Sequence, residues 1–327
     1  MKLPDLVDRA LEARAGLIEG LRAEDTDCYR VFHGSAEGRD GLTIDRYGTL
    51  VLAQTFREPL AESERAGLEG HLRSRIRDCV EVAFVDRTSS RHEEGPGVDH
   101  VCREAGTRFH IRARHRGKDP WLFLDLRAGR RKLRELCAGR SVLNLFAYTC
   151  AAGVAAAAAG ASEVWNVDFS GSALEIGRRN AELNSISSDR IRFIQEDCLP
   201  VLRQLAGLPV KGRGSHRDFL RLEARTFDVV FLDPPAWSKG PFGAVDLERD
   251  YPALSKPALI ATAPGGTVIA TNHVASVDVD EWIGILRRSA EKSGRPLEHL
   301  ETLAPDEDFP TRDGKAPLKV AVCRRSG

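Results

Sequence analysis

Residues 141–153 read SVLNLFAYTCAAG, and this stretch decides the fold. A short run rich in valine and leucine is predicted to form a strand, and it leads through a loop of small residues into an alanine-rich helix. Small residues let a backbone approach a ligand closely, and the free N–H groups at the start of a helix attract anionic groups. The GxGxxG spacing of dinucleotide-binding proteins is missing. The segment alone is equally compatible with an ordinary strand-to-helix turn.

Strands and helices alternate after this stretch. Strands are predicted at SEVWNVD, IRFIQED, FDVVFLD and GGTVIATN, with a helix following each of them. Such alternation is typical of an α/β fold with a doubly wound, Rossmann-like, mostly parallel sheet covered by helices on both faces. The last two predicted strands, PLEHLETLA and PLKVAVCRR, have no helix between them and are expected to form an antiparallel hairpin. We predict one domain over residues 116–327, with its ligand at the carboxyl ends of the strands.

The residues before this domain follow a different pattern. Apolar residues at helical spacing predict one amphipathic helix over residues 1–23. Short segments rich in β-branched and aromatic residues follow, with glycine-containing turns between them and one helix near residues 58–78. Residues 24–115 are therefore predicted to form a small mixed α/β domain, for which contact with RNA is a candidate role.

The composition is that of a globular protein. Of its 327 residues 42% are hydrophobic and 29% charged, and 48 basic residues balance 48 acidic ones. The seven cysteines show no CxxC spacing, so neither a disulfide framework nor a metal site is expected. No signal peptide or membrane-spanning stretch is recognised. We expect a cytoplasmic protein that binds neither metal nor membrane, and its oligomeric state cannot be predicted from the sequence.

Two acidic residues follow the next two predicted strands. Asp168 in WNVDFS comes roughly 20 residues after the loop of small residues, where a carboxylate can accept both hydroxyls of a ribose. Asp197 in IQEDCL ends the third strand, where it can accept from an adenine amino group. Either acid alone is also compatible with a helix cap. Together with the loop, the two acids predict a pocket for a nucleoside that carries a charged tail.

The fourth predicted strand ends in FLDPPAWSKG. Two consecutive prolines fix the backbone and force the chain out of the sheet, so the carbonyl groups of Asp233, Pro234 and Pro235 can face a planar substrate. Trp237 follows, and its ring can stack on a base. The alternative is a stiff turn with a tryptophan in the core.

The ordered motifs SVLNLFAYT, VDFS, EDC and DPPAW resemble those of class I S-adenosylmethionine-dependent methyltransferases. Over residues 115–327 the chain is similar to the bacterial 23S ribosomal RNA methyltransferases I and K/L, because WLFLDLRAGRRKL matches their pattern of an aromatic residue, Asp125, Arg127 and further basic residues. GLTIDRYG resembles the middle domain of methyltransferase I. The N-terminal PUA domain of that group is not expected, since few residues precede Cys28.

The resemblance implies a methyltransferase that uses S-adenosylmethionine and acts on RNA, with 23S ribosomal RNA as the expected substrate. The implied cofactor-binding residues are Asn144, Phe146, Ala147, Tyr148, Thr149, Gly153, Asp168, Phe169, Asp197, Cys198 and Asp233. The candidate catalytic residues, expected to face the acceptor base, are Asp233, Pro234, Pro235, Trp237 and Asn272. Cys150 departs from the family pattern, because a glycine is often found at this position.

The methylated atom is predicted from the cysteines. Enzymes that methylate C5 of cytosine first add a cysteine thiolate to C6, and methyltransferase I is expected to carry that cysteine just after the fifth strand. In this chain GGTVIATNHVAS holds Asn272 and His273 there, and no cysteine. N7 of guanine has a free lone pair and needs no such nucleophile. We therefore favour guanine N7 over cytosine C5, and expect Asn272 and His273 to contact the base unless they only satisfy buried backbone groups.

Local charge supports an RNA substrate. Ten basic residues and only two acidic ones, Asp119 and Asp125, lie between Arg108 and Arg134. Clustered basic side chains bind phosphates by releasing counterions, although many such clusters are only solvated surface. The predicted substrate-binding residues are Arg116, Lys118, Arg127, Arg130, Arg131 and His273. A second basic stretch, VKGRGSHRDFLR at 210–221, is expected to be an inserted loop.

Two other functions are compatible with the sequence. One is a methyltransferase of a small molecule or a protein, against which the basic residues count. The other is a protein that binds S-adenosylmethionine or RNA without catalysis, which the intact Asp168, Asp197 and Asp233-Pro234-Pro235 disfavour.

Overall fold

The computed structural model describes residues 2–88, 97–113, 119–210, 219–240, 242–311, 314 and 316–327. The chain divides into two compact units, Met1–Arg127 with Pro305–Ala316, and Ala128–Ala304 with Pro317–Gly327. Within the described part of the chain, no helix has the length and the apolar character needed to cross a membrane.

The first unit is built around a four-stranded sheet. Its helices are α1 (Leu3–Ala13), α2 (Ala15–Ala23), α3 (Gly34–Glu37) and α4 (Glu62–Arg75). Its strands are β1 (Cys28–His33), β2 (Leu42–Tyr47), β3 (Leu50–Thr55), β4 (Glu81–Asp86), β5 (His100–Glu104) and β6 (Thr107–Ile111). Strands β1 to β4 pair in that order, antiparallel except for β3 with β4, while β5 and β6 form a separate hairpin. A short 3-10 helix spans Leu124–Leu126.

The single helix predicted over residues 1–23 is interrupted. Arg14 has φ −99° and ψ 6°, outside the helical range, and separates α1 from α2. Its side chain is buried and pairs with Glu37 at 2.7 Å. Arginines are rarely buried unless their charge is paired, so this ion pair explains why the chain bends at a position that helical spacing does not mark.

The first unit extends beyond the predicted boundary at residue 115. It continues to Arg127 and includes the distant segment Pro305–Ala316. The physical reason is a buried set of ion pairs in which Arg127 binds both Asp306 and Asp308. Sequence proximity gives no sign of such a pairing.

The second unit carries the predicted α/β fold. Its helices are α5 (Arg127–Leu136), which begins on the last residue of the first unit, α6 (Ala151–Ala158), α7 (Gly171–Leu183), α8 (Cys198–Leu205), α9 (Pro252–Ile260) and α10 (Val279–Lys292). Its strands are β7 (Ser141–Leu145), β8 (Glu163–Asp168), β9 (Ile191–Gln195), β10 (Phe227–Leu232), β11 (Trp237–Gly240), β12 (Gly243–Asp246), β13 (Thr262–Asn272), β14 (Leu297–Leu303) and β15 (Lys319–Arg325).

Seven of these strands form one sheet in the order β14-β15-β13-β10-β7-β8-β9. The five strands from β13 to β9 are parallel, and β14 and β15 are antiparallel, which confirms the doubly wound sheet with a C-terminal hairpin. The strand order reverses between β7 and β10, so the crevice expected to bind a ligand opens at the carboxyl ends of these two strands. Nearly all residues of β7, β8 and β10 are buried, as expected for strands covered on both faces.

Candidate active site

The loop between β7 and α6 has an unusual backbone. Phe146, Tyr148 and Cys150 have φ of 58°, 48° and 61°, a region that residues other than glycine rarely occupy. Neighbouring elements hold the loop in place: the Phe146 N–H donates to Cys198 Sγ at 3.2 Å, and the Ala147 N–H donates to the Val167 carbonyl at 3.0 Å. Such backbone strain is concentrated at binding and catalytic sites in proteins, and it marks this loop as a candidate site.

Cys150 has a left-handed backbone with φ 61°, a conformation that favours the glycine expected here from the resemblance. A side chain there needs space, and Gly177 on α7 provides it. A Cβ atom added to Gly177 would lie 2.5 Å from Cys150 Sγ. The cysteine is accommodated because its neighbour has no side chain, and the loop keeps its backbone path.

Gly153 of α6 and Asn144 of β7 both contact Asn166 of β8. A Cβ atom on Gly153 would lie 1.9 Å from Oδ1 of Asn166, and the Asn144 amide donates to the same oxygen at 2.8 Å. Both residues are buried. These contacts give Gly153 and Asn144 a packing role that brings α6 close to β8, and their predicted contact with the cofactor stays a prediction.

Asp168 ends β8 and orients the loop. Its Oδ2 accepts the Tyr148 N–H at 2.8 Å and its Oδ1 accepts the Ser170 N–H at 2.8 Å. The side chain is only 6% exposed, and burial raises its pKa although these two hydrogen bonds oppose the shift. The cap of α7 is Ser170 rather than Asp168. Each carboxylate oxygen keeps a lone pair, so Asp168 can still accept hydroxyl groups.

Asp197 begins α8. Its Oδ1 accepts the Leu199 N–H at 2.9 Å, so it caps the helix as the simpler interpretation anticipated. Burial raises the pKa of its carboxyl group, and the nearby charge of Glu196 raises it further. One carboxylate oxygen is occupied by the cap, which leaves the other available to a ligand.

A cavity of about 420 Å³ opens beside these residues. It is lined by Phe146, Phe169, Gln195, Glu196, Asp197, Cys198, Leu199, Ser238, Lys239, Phe242, Gly243 and Val245. Phe169 is 70% exposed and offers a free aromatic face next to Asp197. An aromatic wall, aliphatic side chains and a carboxylate acceptor suit a purine nucleoside, and the volume lies in the usual range of small-molecule sites. The residues therefore fit the nucleoside part of S-adenosylmethionine.

The sequence did not predict one wall of this cavity. No strand is predicted between FDVVFLD and GGTVIATN, whereas Trp237–Gly240 and Gly243–Asp246 pair as the antiparallel hairpin β11–β12. Ser238, Lys239, Phe242, Gly243 and Val245 form its wall of the cavity. The glycines on both sides of the turn are a hairpin signal, but the strands are too short for a clear alternating pattern.

The Asp233-Pro234-Pro235 motif lies where it was predicted, directly after β10. Asp233 accepts a hydrogen bond from the Thr271 hydroxyl, which ties the end of β10 to that of β13. Trp237 is 64% exposed at the start of the hairpin, so it is not a core tryptophan. Its ring is available for stacking on a base.

Asn272 ends β13, the strand beside β10, and carries an unsatisfied donor. The side chain is fully buried, and Oδ1 accepts the Val274 N–H at 2.9 Å. Nδ2 has no hydrogen-bond partner among the described residues. Buried donors without a partner are rare because they cost free energy, so this atom is a candidate contact for a ligand. The adjacent His273 is exposed.

Two of the predicted substrate-binding arginines are buried. Arg127 and Arg130 are each 1% exposed, and Arg127 is held by Asp306 and Asp308. A buried arginine engaged with carboxylates is not open to RNA, so the prediction for Arg127 is corrected. Arg131 is partly exposed, and Arg116 and Lys118 lie outside the described residues, as does most of the basic stretch at 210–221.

Across the described ranges, no group of three or more histidine, cysteine, aspartate or glutamate side chains is arranged to hold a metal ion. The acidic residues at the strand ends instead accept backbone N–H groups, as Asp168 and Asp197 do. The site thus offers oxygen acceptors and aromatic surfaces to an organic cofactor.

The parallel sheet with its C-terminal antiparallel hairpin, together with acidic residues at the ends of β8 and β9, defines a Rossmann-like methyltransferase. Residues 86–324 match the family model of the S-adenosylmethionine-dependent methyltransferases, and the chain belongs to this family. It is an enzyme whose cofactor is S-adenosylmethionine.

Curated relatives cover most of the chain. The ribosomal RNA large subunit methyltransferase I of Shewanella amazonensis is 28% identical over 92% of this chain and 75% of its own length. The ribosomal RNA large subunit methyltransferase of Deinococcus radiodurans is 31% identical over 88% of this chain and 70% of its own.

Solved structures share the fold. A methyltransferase crystallised with SAH has a TM-score of 0.78 at 22% identity, covering 98% of this chain and 80% of its own. The SAM-dependent methyltransferase from Agrobacterium tumefaciens has a TM-score of 0.63 at 20% identity, covering 93% of this chain and 91% of its own. At these identities the likeness is one of fold.

Proposed function

We propose that the protein methylates a base of large-subunit ribosomal RNA, and that the methylated atom is N7 of guanine rather than C5 of cytosine. The ribosomal RNA substrate rests on the names of the curated relatives from Shewanella amazonensis and Deinococcus radiodurans. The choice of atom rests on the side chains of this chain, above all on the unpaired amide of Asn272.

The cofactor side of the site follows from the geometry around β7, β8 and β9. S-adenosylmethionine supplies an electrophilic methyl group on sulfur. Asp168 binds the ribose hydroxyls through its free lone pairs, and Asp197 accepts from the adenine amino group beside Phe169. The loop from Phe146 to Thr149, which backbone hydrogen bonds hold in place, contacts the methionine end. These residues mainly position the donor, as transfer by in-line displacement requires.

The acceptor side lies at the ends of β10 and β13. The rigid Asp233-Pro234-Pro235 segment presents its backbone to the edge of the base, and Trp237 stacks on the face of a base that has left its helix. RNA enzymes that act on a base need such an aromatic platform, because the target must be unstacked before it can react.

The cysteines argue against C5 of cytosine. Attack on C6 requires a thiolate, and low thiol pKa values favour it. In the second unit Cys137, Cys150, Cys198 and Cys323 are buried, and burial raises the pKa of each thiol, that of Cys323 to about 12. Cys150 and Cys198 additionally serve the cofactor loop. None of the four has the exposure and charge of a nucleophile.

The amide of Asn272 favours guanine. N7 of guanine shares its edge with O6, an acceptor, whereas C5 of cytosine lies beside the N4 amino group, a donor. Because the Val274 N–H occupies Oδ1 of Asn272, the atom left without a partner is the donor Nδ2. A donor complements the guanine edge and repels the cytosine edge.

Nucleoside mass spectrometry of 23S ribosomal RNA from cells with and without this gene tests the proposal. We expect 7-methylguanosine to fall in the deletion by one residue per ribosome, and purified protein with S-adenosylmethionine to restore it on the unmodified RNA. Loss of 5-methylcytidine instead would contradict the assignment of the atom. No change in any methylated nucleoside would contradict the ribosomal RNA substrate.

A further inference from the structure

The first unit contains a cavity of about 460 Å³ that belongs to no part of the proposed catalytic site. Five arginines and three aspartates line it: Arg22, Arg46, Arg77, Arg103, Arg108, Asp25, Asp27 and Asp78. Tyr29, Thr26, Thr49, Gly48 and Val101 complete the lining. The arginines outnumber the aspartates, so the cavity carries an excess of positive charge although the whole chain is neutral.

Arg46 forms the floor of this cavity and is only 7% exposed. Its guanidinium donates to the carbonyl groups of Gly48 at 3.0 Å and Arg77 at 3.1 Å, and to the hydroxyl of Tyr29 at 3.2 Å. All three partners are neutral, and no carboxylate of the described residues pairs with it. A buried cation without a counterion is costly, and a guanidinium has more N–H donors than these three bonds use.

The aspartates of the lining do not supply the missing negative charge. Asp25 and Asp27 both pair with Arg103, at 3.0 Å and 3.1 Å, and Asp78 lies beside the exposed Arg77 at 3.5 Å. Arg22 is exposed at the end of α2 and makes no ion pair with a described residue. The cavity therefore keeps positive charge on its floor and at its rim.

The cavity is part of the fold rather than a gap between flexible side chains. Gly48 has φ +60°, and a Cβ atom there would lie 2.4 Å from the Val101 carbonyl. The Gly48 N–H donates to the Asp27 carbonyl, and the Arg103 N–H donates to Oδ1 of Asp27 at 2.7 Å. These contacts fix the turn between β2 and β3 against β5, and so fix the position of Arg46.

We infer that this cavity binds a phosphate of the RNA backbone, with Arg46 as the buried anchor and Arg22 and Arg77 at the rim. The guanidinium fork matches phosphate geometry, and a phosphodiester would supply the counterion that Arg46 lacks. The inference takes RNA as the ligand from the proposed function, on which it therefore rests, and it gives the first unit a role in substrate binding. A free phosphate or mononucleotide offers the same chemistry and is distinguished by the experiment.

The test measures how salt weakens binding of the full-length protein to a fluorescein-labelled single-stranded RNA oligonucleotide. Each phosphate that a variant no longer neutralises lowers the slope of log K against log salt by about 0.7 for a single strand. The variant Arg22→Gln/Arg77→Gln removes the two rim charges and leaves Arg46 in place. We expect its slope to fall by about 0.7, the contribution of one phosphate, with RNA binding weakened about tenfold at low salt.

The matched control is Arg57→Gln/Arg75→Gln. It removes two exposed arginines from the same unit, each paired with an aspartate away from the cavity. We expect this control to keep the wild-type slope, and Arg22→Lys/Arg77→Lys to keep most of it. Equal slopes for the cavity variant and the control would overturn the inference.

Two further results separate the alternatives. In the first, inorganic phosphate raises the melting temperature of the wild type but not of Arg22→Gln/Arg77→Gln, while the two proteins show the same salt slope for RNA binding. This result would identify a site for free phosphate and overturn the RNA assignment. An altered 23S nucleoside in the deletion strain together with equal slopes would leave the proposed function standing and remove only this inference. Failure of the wild type to bind RNA would contradict both.

Discussion

Arg127 donates from Nη2 to Oδ1 of Asp308, a residue that lies 181 positions further along the chain. The same guanidinium donates to Asp306 and to the Cys28 carbonyl, the latter at 3.1 Å. Burial alone would lower the pKa of Arg127, but the charges of Asp308 and Asp306 outweigh it and raise the pKa. The pairing joins Pro305–Ala316 to the N-terminal unit and determines where the chain divides.

Arg127→Met is expected to lower the free energy of unfolding by about 3–5 kcal/mol, because it takes their shared cation from the buried Asp308 and the partly buried Asp306. Urea unfolding followed by circular dichroism measures the change. The control is Arg57→Met, which breaks the exposed pair with Asp40 and should cost less than about 1 kcal/mol. A stable Arg127→Met protein with weakened RNA binding would instead support the substrate role predicted from the sequence.

Gly153→Ala is expected to destabilise the second unit by several kcal/mol. The added Cβ atom would lie 1.9 Å from Oδ1 of Asn166, which is itself fixed by the Asn144 amide. Overpacking of a buried site costs about 1–3 kcal/mol, and a broken buried hydrogen bond adds about 1 kcal/mol or more. Thermal unfolding measures the loss.

Gly67→Ala serves as the control for this substitution, since Gly67 lies within α4 and a Cβ atom there meets nothing within 4 Å. Replacing an unhindered helical glycine by alanine should raise stability by about 0.5–1 kcal/mol. Equal effects of the two substitutions would show that α6 can move away from β8.

The sheet was predictable because its signals are local. Each buried strand and following helix carries its own hydrophobic pattern, and acidic Asp168 and Asp197 stand at strand ends that the pattern itself defines. The burial of Arg127 was not predictable, because it depends on a carboxylate on a distant segment. A run of arginines usually indicates a charged surface, but the ion pairs of the folded chain determine whether each arginine is exposed or buried.

The packing roles of Asn144 and Gly153 were missed for a similar reason. Both lie inside a motif that suggests a ligand, but their partner Asn166 lies on the next strand and is not part of any recognised motif. The unpaired donor of Asn272 was likewise invisible in the sequence, since only the structure shows which of its two polar atoms is satisfied.

Asp168→Asn is expected to weaken binding of S-adenosylmethionine by about 1–3 kcal/mol, or roughly fivefold to 150-fold. The amide has one acceptor oxygen, so it cannot accept both the Tyr148 and Ser170 N–H groups and a ribose hydroxyl. Isothermal titration calorimetry measures the affinity. Asp189→Asn, at an exposed position, is the control and should bind the cofactor as the wild type does. Unchanged affinity of the Asp168 variant would remove this residue from the cofactor site.

As the pH is lowered, cofactor binding is expected to weaken at a higher pH than it would if an aspartate of ordinary pKa bound the ribose. Burial raises the pKa of Asp168, and only the carboxylate form accepts on both oxygens, so affinity should fall as the pH drops through this raised pKa. Calorimetry between about pH 4 and pH 7 follows the loss. Asp197 shows the same direction of pKa shift, so Asp168→Asn should reduce the pH dependence without abolishing it. A wild-type affinity that is flat down to the usual pKa of aspartate would contradict a bond from the ionised group.

Asn272→Asp is expected to slow methyl transfer while leaving cofactor affinity unchanged. The new carboxylate would keep the oxygen that accepts the Val274 N–H, but it would place an acceptor where the wild type has its unpaired donor. The new acceptor would face O6 and N7 of guanine, which are also acceptors, and would repel the substrate. A buried polar group without a partner costs about 1–3 kcal/mol. Steady-state kinetics on unmodified 23S ribosomal RNA should show the loss, roughly tenfold or more, in kcat/KM.

Whether Asn272→Asp lowers or raises kcat/KM distinguishes a guanine substrate from a cytosine substrate. If the substrate were cytosine, its N4 amino group would face the new acceptor, and Asn272→Asp would keep or raise kcat/KM because a donor would then meet an acceptor. Asn272→Ala removes both polar atoms and should slow transfer to guanine, because the donor to the guanine edge is lost, so the comparison of the two variants separates this loss from repulsion by the new acceptor. A guanine substrate therefore predicts that Asn272→Asp is at least as damaging as Asn272→Ala, and the reverse order would contradict it.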